Sequence, residues 1–345
     1  MPTTFAVPDG RVAMAATLYT GTGATQTISN AVNTVSFQPD LVWIKSRNTA
    51  GSNILQDSVR GATIVLFSDA TTADTTLVNG LTAFASNGFT LGSGAATNQN
   101  TSATTYIGWN WKAGDTTVTN GTGTISSQVR ANTTAGFSVV TYTGTGANAT
   151  VGHGLGVAPG LILTKARNAA NSWYVYHSAT GGTKTLYLNY PDVATVDNRI
   201  WNNTDPIASV FSIGTVGPNA SAVTQVAYCW APVAGYSAFG SYTGNGLADG
   251  TFIYTGFRPR YVLIKRTDAS ADWFINDTSR EPYNLMSVSI RANTSDTEAS
   301  GGGLAMDALS NGFKMRDAGS GSNASGGTYI YAAFAENPLK YSNAR

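Results

Sequence analysis

Residues 37–47 read FQPDLVWIKSR, and this stretch recurs twice later in the chain. The second copy, residues 157–167, reads VAPGLILTKAR, and the third, residues 257–266, reads FRPRYVLIKR. In every copy a Pro precedes a Lys by six residues. These anchors are Pro39, Pro159 and Pro259, followed by Lys45, Lys165 and Lys265. Because internal self-similarity is the signature of repeated structural units, the stretch predicts one architecture built three times.

The residues of this stretch alternate between two faces of an extended strand. In the first copy, Leu41, Trp43 and Lys45 lie on one face, while Val42 and Ile44 lie on the other. Both faces begin apolar, so the pattern predicts a central strand that is covered by another layer on each side. We expect the Lys end to emerge at the rim of the sheet, where the Lys shields a strand edge or pairs with a carboxylate.

Three further features repeat in the same order around each copy. A Tyr-Thr-Gly-x-Gly sequence precedes it, at residues 19–23, 142–146 and 242–246. An aromatic strand closes each unit, at residues 106–111, 225–230 and 329–334. A polar residue lies twelve residues after each Lys and ends a short strand: Asp57, His177 and Asp277. The Gly-x-Gly pieces do not continue as Gly-Lys-[Ser/Thr], so they predict tight turns with positive φ rather than phosphate loops.

The repeats divide the chain into three units of domain size. We predict an all-β protein of three tandem homologous β-sandwich domains of jelly-roll type, over residues 1–115, 116–234 and 235–345. Residues 115–132 are rich in Thr, Ser and Gly, which is typical of a polar connection. The second connection, residues 232–236, is short, so we expect the second and third repeats to pack closely.

Composition excludes several classes of protein. The 345 residues include three Glu and seven Lys, too few for the ion-paired surface of a mainly helical protein. A net charge of +1 argues against nucleic acid as a partner. No apolar run is long enough for a membrane span, and no secretory signal is recognised at the N-terminus. With Cys229 alone, neither an intrachain disulfide nor a cysteine metal cluster is expected.

Several motifs resemble a repeat family found in tailed-bacteriophage virion proteins, often labelled as tail-fibre or other structural proteins. They are PDLVWIKSR at 39–47, GFTLG at 88–92, YIGWNWKAG at 106–114 and YIYAAFAENPLKYSNAR at 329–345. The resemblance covers the chain from Phe5 to Arg345. It implies a structural component of the phage particle, made in the host cytoplasm without a signal peptide. It identifies no catalytic residues in this chain. The second copy departs most, because His177 replaces the Asp of the other two.

Ionisable residues offer little support for an active site. A polysaccharide depolymerase needs two carboxylates flanking a groove, and the candidates are few. They are Asp57, Asp277, Asp272, Glu281 and Glu298. Asp57 and Asp277 each begin an Asp-[Ser/Thr]-x-Arg sequence, in which a carboxylate typically caps backbone amides and pairs with the Arg.

Other reactive residue types are isolated. His153 and His177 have no Asp or Cys at ligand spacing, which favours hydrogen-bonded structural roles over metal binding or a catalytic triad. Cys229 fits a small strand residue rather than a nucleophile. Most Trp side chains are expected in the core, although any of them could stack on a sugar. We therefore predict a non-enzymatic protein with no cofactor and no metal.

The function expected from these features is a tail fibre or adhesin component that contacts the host cell surface. The alternative is a capsid decoration or head-fibre protein without a receptor role, and the depolymerase is a remote third. Expected partners are other virion proteins and a host surface glycan or protein, with no nucleic acid and no membrane insertion. A homotrimer is the first expectation for assembly and a single copy per site the second.

Overall fold

The computed structural model describes residues 7, 9–94, 98–300 and 304–336. Strands dominate these residues, and the one α-helix, α1, spans only Asn198–Trp201. Two short 3₁₀ helices lie at Gly10–Val12 and Gly217–Asn219. The predicted all-β fold class is confirmed.

The strands fall into three consecutive groups, one for each repeat. The first repeat contains β1 (Met14–Thr20), β2 (Gln26–Ser29), β3 (Leu41–Ser46), β4 (Ile54–Asp57), β5 (Ile64–Phe67), β6 (Thr75–Thr76), β7 (Leu81–Ala85), β8 (Gly88–Leu91) and β9 (Thr105–Trp111). The second contains β10 (Val118–Asn120), β11 (Ser127–Asn132), β12 (Phe137–Thr143), β13 (Ala149–Gly152), β14 (Leu161–Ala166), β15 (Tyr174–His177), β16 (Lys184–Tyr187), β17 (Thr195–Val196), β18 (Val210–Ile213) and β19 (Thr224–Trp230). The third contains β20 (Ser237–Thr243), β21 (Phe252–Tyr254), β22 (Pro259–Arg266), β23 (Trp273–Asp277), β24 (Val288–Arg291), β25 (Ala299–Ser300), β26 (Met306–Leu309), β27 (Gly312–Met315) and β28 (Thr328–Ala335).

Each repeat forms one large antiparallel sheet with the same strand order. The order is β1-β9-β3-β4-β5-β6 in the first repeat and β20-β28-β22-β23-β24-β25 in the third. The second repeat has the equivalent order β12-β19-β14-β15-β16-β17, extended at one edge by β11 and β10. The strand that carries the repeated Lys lies at the centre of each sheet, as the apolar pattern on both of its faces predicts.

A small sheet covers one face of each large sheet. These small sheets have the orders β2-β8-β7, β13-β18 and β21-β27-β26. In the first repeat, Val42 and Ile44 of the large sheet pack with Ile28, Phe89 and Leu91 of the small one. Each repeat is therefore a sandwich. The first and second repeats have a separate core between their two sheets, whereas in the third repeat this core is continuous with the core on the opposite face of the large sheet.

The opposite faces of the three large sheets meet in one shared core. Equivalent positions of the closing strands bring together Trp111, Trp230 and Phe334, with ring centroids 5.7, 5.6 and 6.5 Å apart. The void among these rings is about 10 Å³, no more than about one water needs, so the centre is a packed core and not a ligand site. The three repeats thus pack around a common axis, and the close packing expected of the second and third extends to all three.

The polar segment after the first repeat has structure of its own. Besides connecting two repeats, as its polar composition predicted, this segment forms the β10–β11 hairpin within residues 118–132, which extends the second sheet. The hairpin is fixed by burial of Val129 and by Arg130, whose Nε lies 2.7 Å from the buried Asp40 carboxylate of the first repeat. These contacts depend on tertiary structure, which a Thr- and Gly-rich composition does not encode.

Candidate functional site

The repeated Lys residues lie at the contacts between repeats, and not at a rim. All three side chains are fully buried. The Lys45 Nζ donates to the Ser295 carbonyl of the third repeat at 3.5 Å, and the Lys165 Nζ to Thr71 of the first at 3.0 Å. The Lys265 Nζ donates to the Pro191 carbonyl of the second repeat at 3.1 Å. Desolvation by burial lowers the pKa of each Lys to about 8.

The same three carbonyls also accept backbone hydrogen bonds across each contact. The N–H of Gly51 donates to Ser295 at 2.8 Å, that of Asn171 to Thr71 at 2.8 Å, and that of Ala271 to Pro191 at 2.9 Å. A loop of one repeat is therefore held by the Lys and the backbone of the next. Neither predicted role of the Lys, edge protection or pairing with a carboxylate, describes this contact.

A further side chain bridges each contact from one equivalent position. The Nε1–H of Trp173 donates to the Phe67 carbonyl at 2.8 Å, and that of Trp273 to the Tyr187 carbonyl at 2.8 Å. In the first repeat the equivalent residue is Asn53. Its Nδ2 donates to the carbonyls of Arg291 at 3.1 Å and Thr294 at 2.9 Å. The acceptors Phe67, Tyr187 and Arg291 each end the equivalent strand of the preceding repeat.

The polar residue twelve positions after each Lys also joins two repeats. The Asp57 carboxylate accepts from the Tyr228 hydroxyl at 2.8 Å, and Asp277 accepts from Trp109 Nε1 at 3.2 Å. His177 takes the same place in the second repeat, and its Nε2 donates to the Tyr331 carbonyl at 3.0 Å while Nδ1 accepts a backbone N–H. Burial lowers the pKa of His177 to about 4, so the ring is neutral at pH 7.

Both Asp residues are also buried ion-pair partners of a nearby Arg, as the Asp-[Ser/Thr]-x-Arg pattern predicts. The Asp57 carboxylate caps the backbone N–H of Arg60 at 2.8 Å and lies 2.5 Å from its Nε. Asp277 repeats this arrangement with Arg280 at 2.9 and 2.7 Å. All four side chains are at most 1% exposed, so these carboxylates are structural and do not line a groove.

Ion pairs reinforce two of the three contacts. Arg47 binds both oxygens of Glu298 at 2.8 Å. Arg167 binds Asp74 at 2.9 Å, and Asp74 also pairs with Arg60 at 2.8 Å. At the contact between the second and third repeats the equivalent residues are Ala194 and Thr267. Only a backbone hydrogen bond remains there, from the Ala194 N–H to the Thr267 carbonyl at 3.0 Å.

Together these contacts form a closed ring. The first repeat holds a loop of the third, the second holds a loop of the first, and the third holds a loop of the second. Interfaces of this head-to-tail kind close into a ring when the rotation between units allows it. The repeated Lys residues and the polar residues twelve positions after them thus share one role, which is to join the repeats. Pro39, Pro159 and Pro259 are buried beside them, at or just before the start of the central strand.

The remaining candidates for chemistry are also engaged in structural contacts. The Glu281 carboxylate accepts from the Val288 N–H at 2.7 Å, and Asp272 accepts from Asn293 Nδ2 at 2.8 Å. His153 donates from Nε2 to the Ile207 carbonyl at 3.0 Å, and burial lowers its pKa. Burial raises the pKa of the Cys229 thiol, which makes it inert. The Trp residues considered for sugar stacking are buried: Trp109, Trp111, Trp173, Trp230 and Trp273.

The glycine turns have the predicted conformation. In each Tyr-Thr-Gly-x-Gly sequence the second glycine has positive φ: 69° at Gly23, 75° at Gly146 and 71° at Gly246. The first glycine lies against backbone, since a Cβ on Gly21 would lie only 2.2 Å from the Thr101 carbonyl oxygen.

A buried Asn holds each of these turns and was missed by the sequence analysis. The Asn100 Oδ1 accepts from the Thr22 N–H at 2.9 Å, and its Nδ2 donates to two carbonyls at 2.7 Å. Asn219 and Asn323 repeat the arrangement. All three lie five residues before the first residue of the closing strand, a constant spacing that could have revealed them.

One open cleft lies outside the ring, in the third repeat. Its volume is about 620 Å³, and Asp249, Asn284, Leu285, Asp307 and Arg316 line it. Arg316 lies between the two carboxylates, 3.5 Å from Asp249 and 3.3 Å from Asp307. A hydrogen bond from Lys314, supported by the charge of Arg316, lowers the pKa of Asp249, the opposite of what a general acid needs.

Within the described residues, no group of three or more His, Cys, Asp or Glu side chains could hold a metal ion. No helix in that part of the chain is long and apolar enough to cross a membrane.

The sheets and the ring define an all-β protein of three equivalent repeats around one core. The family described as "Domain of unknown function (DUF7483)" matches residues 12–338, and the chain belongs to this family. Comparisons with curated proteins and with solved structures gave no match.

Proposed function

We propose that the protein is a non-enzymatic component of a bacteriophage virion, a tail fibre or adhesin component that contacts the host cell surface. The observation that carries the proposal is how the recurring ionisable residues are used. The repeated Lys, Asp and His side chains are buried in contacts between repeats, which favours a rigid structural part over an enzyme. The motifs that resemble phage virion proteins support the same role.

The ring also bears on assembly. Three repeats around one axis give a single chain a threefold character of its own. This supports the single-copy alternative over the homotrimer expected from the sequence, because one chain can match a threefold attachment site.

The experiment is an adsorption assay with purified protein and susceptible bacteria. We expect the protein to bind these cells, and antibodies against it to reduce phage adsorption. Binding to no susceptible strain, together with antibodies that leave adsorption unchanged, would refute the role in host contact. The decoration-protein alternative is tested by the same antibodies, since immunogold labelling of the capsid instead of the tail would support it.

The depolymerase is tested separately. Release of reducing sugar from host polysaccharide, abolished by Asp249→Asn or Asp307→Asn in the open cleft, would replace the non-enzymatic proposal. Asp57→Asn and Asp277→Asn are unsuitable for this purpose, because they remove buried structural ion pairs.

A further inference from the structure

The outer face of the small sheet in the third repeat exposes aromatic side chains. In β21 the central residue, Ile253, points into the core, while Phe252 and Tyr254 point outward and are 44% and 68% exposed. The Phe252 ring rests over the next strand at Gly312, where a Cβ would lie 3.2 Å from Cε2. Two further exposed residues, Tyr283 and Leu285, lie just before Met286, which bridges to the far strand of this sheet at Met306. We call Phe252, Tyr254, Tyr283 and Leu285 the aromatic face.

The fold does not require aromatic residues at these positions. The residues equivalent to Phe252 and Tyr254 in the first repeat are Thr27 and Ser29, since Ile28 pairs with Phe89 as Ile253 pairs with Phe313. In the second repeat they are Thr150 and Gly152. Three copies of one sheet therefore differ at the same outward positions, and only the third carries large rings there. An exposed apolar surface without a structural purpose marks an interaction site.

In the second repeat, residues 124–127 pair with the edge strand β13 of the small sheet, in the plane of the sheet. There, Thr124 accepts from the Thr150 N–H at 2.8 Å, and Ser127 donates to the Gly152 carbonyl at 2.9 Å. That segment precedes the second repeat only. In the third repeat, Phe252 and Tyr254 remain exposed to solvent.

Charged groups beside the aromatic face balance one another. Lys314 lies directly across from Phe252 in the adjacent strand, and Asp307 lies across from Lys314. Lys314 Nζ pairs with Asp249 at 2.5 Å, and Arg316 pairs with both Asp249 and Asp307. Two acids and two bases leave no net charge. A nucleic acid or an anionic membrane, which both need a basic surface, does not fit this cluster.

The cleft adjoins the aromatic face, because Leu285 belongs to both. Asp307 of the cleft also lies across from Lys314, which in turn lies across from Phe252. Its volume of about 620 Å³ lies within the usual range of ligand sites, roughly 300–1,000 Å³. Asp307 and Arg316 supply hydrogen-bond acceptors and donors on its wall, while the Asn284 amide is bound to the Ala308 backbone at 3.2 and 2.9 Å. A sugar combines the two features that such a surface recognises, C–H groups that pack on aromatic rings and hydroxyls that bond to polar side chains.

We propose that the aromatic face and the adjoining cleft of the third repeat bind a neutral glycan. The inference rests on the proposed role at the host surface, which supplies the source of the glycan. The rings provide a packing surface, and the paired charges provide hydrogen bonds without selecting for a charged polymer.

The test measures retention of the full-length protein on immobilised neutral polysaccharides: dextran, mannan, galactan and chitin oligosaccharides. The variant Phe252→Thr/Tyr254→Ser introduces the residues that the first repeat carries at the same positions, so its fold should be retained. We expect it to lose at least tenfold in affinity for whichever polysaccharide the native protein binds. The matched control is Thr27→Ala/Ser29→Ala in the first repeat, which should bind like the native protein. Thermal unfolding of both variants verifies that the fold is intact.

Four results would overturn the inference. One is retention of the native protein on none of these polysaccharides, and another is retention only on an anionic polymer such as polygalacturonate. The third is binding that the Phe252→Thr/Tyr254→Ser variant retains in full. If the native protein self-associates through this face instead, sedimentation will show an oligomer that the variant lacks, and the glycan assignment is wrong.

The adsorption assay separates this inference from the proposed function. Glycan binding that depends on Phe252 and Tyr254, in a protein that binds no susceptible strain and whose antibodies leave adsorption unchanged, supports the glycan site and refutes the host-contact role. Blocked adsorption without glycan binding refutes the glycan site and leaves the host-contact role in place.

Discussion

Replacing Asp57 by Asn should lower the free energy of unfolding by about 3 kcal/mol, the lower end of the usual cost of removing one partner of a buried ion pair, because Arg60 keeps a second anionic partner. The Asp57 carboxylate accepts hydrogen bonds from the backbone N–H groups of Val59 at 3.0 Å and Arg60 at 2.8 Å, and from the Tyr228 hydroxyl at 2.8 Å. An Asn can keep Oδ1 for the two backbone donors. Its NH₂ group would then face the Arg60 guanidinium, which can only donate, and the Tyr228 hydroxyl, which would lose its acceptor. Arg60, whose side chain is fully buried, would keep Asp74 as its anionic partner.

The assay is urea unfolding at pH 7, followed by Trp fluorescence and circular dichroism. The control is Asp197→Asn, because Asp197 pairs with Arg199, whose side chain is 64% exposed. An exposed pair contributes under about 1 kcal/mol, and Asn also caps the start of α1. A double-mutant cycle with Tyr228→Phe then isolates the part of the cost that crosses between repeats.

A loss below about 1 kcal/mol for Asp57→Asn, with an unchanged dependence of the unfolding free energy on urea, would refute the reasoning. It would mean that the contact between the first and second repeats does not depend on this carboxylate. A cycle without measurable coupling between Asp57 and Tyr228 would likewise contradict the structural role assigned to their hydrogen bond.

Three further predictions concern the ring and its core. Trp111→Ala should cost about 3–5 kcal/mol, and one unfolding transition should be seen by fluorescence and circular dichroism alike, because Trp111 packs in a core that all three repeats share. The unfolding free energy should rise from pH 7 to pH 9, since the folded-state pKa of Lys165, about 8, is below the unfolded value and the unfolded chain then binds more protons. In Lys165→Met this rise should be smaller by roughly 1 kcal/mol, and an equal rise in both proteins would contradict the assignment. Sedimentation at micromolar concentration should show a monomer, and a stable trimer would restore the homotrimer.

The alternation within residues 41–47 was sufficient to predict the strand and its two covered faces. It also placed Lys45 on the same face as Leu41 and Trp43. The structure confirms this, since all three are buried, Leu41 and Trp43 in the shared core and Lys45 at the contact with the third repeat. The pattern could not reveal what covers that face. We assigned each repeat its own sandwich, and a Lys at the end of a strand then has to reach solvent. The carbonyls that receive the Lys belong to a loop of another repeat, more than 70 residues away in each case.

The positions of His177 and the two Asp residues show a second limit of the sequence. Their spacing from the Lys identified them as equivalent, but the change from Asp to His looked like the loss of a site. Its cause lies in the neighbouring repeat, where Ala332 occupies the strand position of Trp109 and Tyr228. Without an aromatic donor there, the partner available is the Tyr331 carbonyl, and a neutral His can donate to it. The change from Asp to His at position 177 is therefore linked to the change from an aromatic residue to Ala at position 332. This link is visible only from the strand pairing in the structure.

Because the three repeats are joined in one chain, residues of the ring and residues of the outer surface can change independently in each repeat. In a homotrimer both would be the same in all three copies. Residues in the ring must fit a partner in the next repeat, so Lys45, Lys165 and Lys265 are identical, and His177 differs only where its partner also differs. Outward residues such as Phe252 have no such partner, and the equivalent Thr27 and Thr150 show that they can change in one repeat alone. In a homotrimer any substitution would occur three times, and an exposed aromatic surface would be tripled along with its tendency to self-associate. A single chain can therefore keep a symmetric core while one repeat acquires a binding face, and each molecule would then bind its ligand at one site.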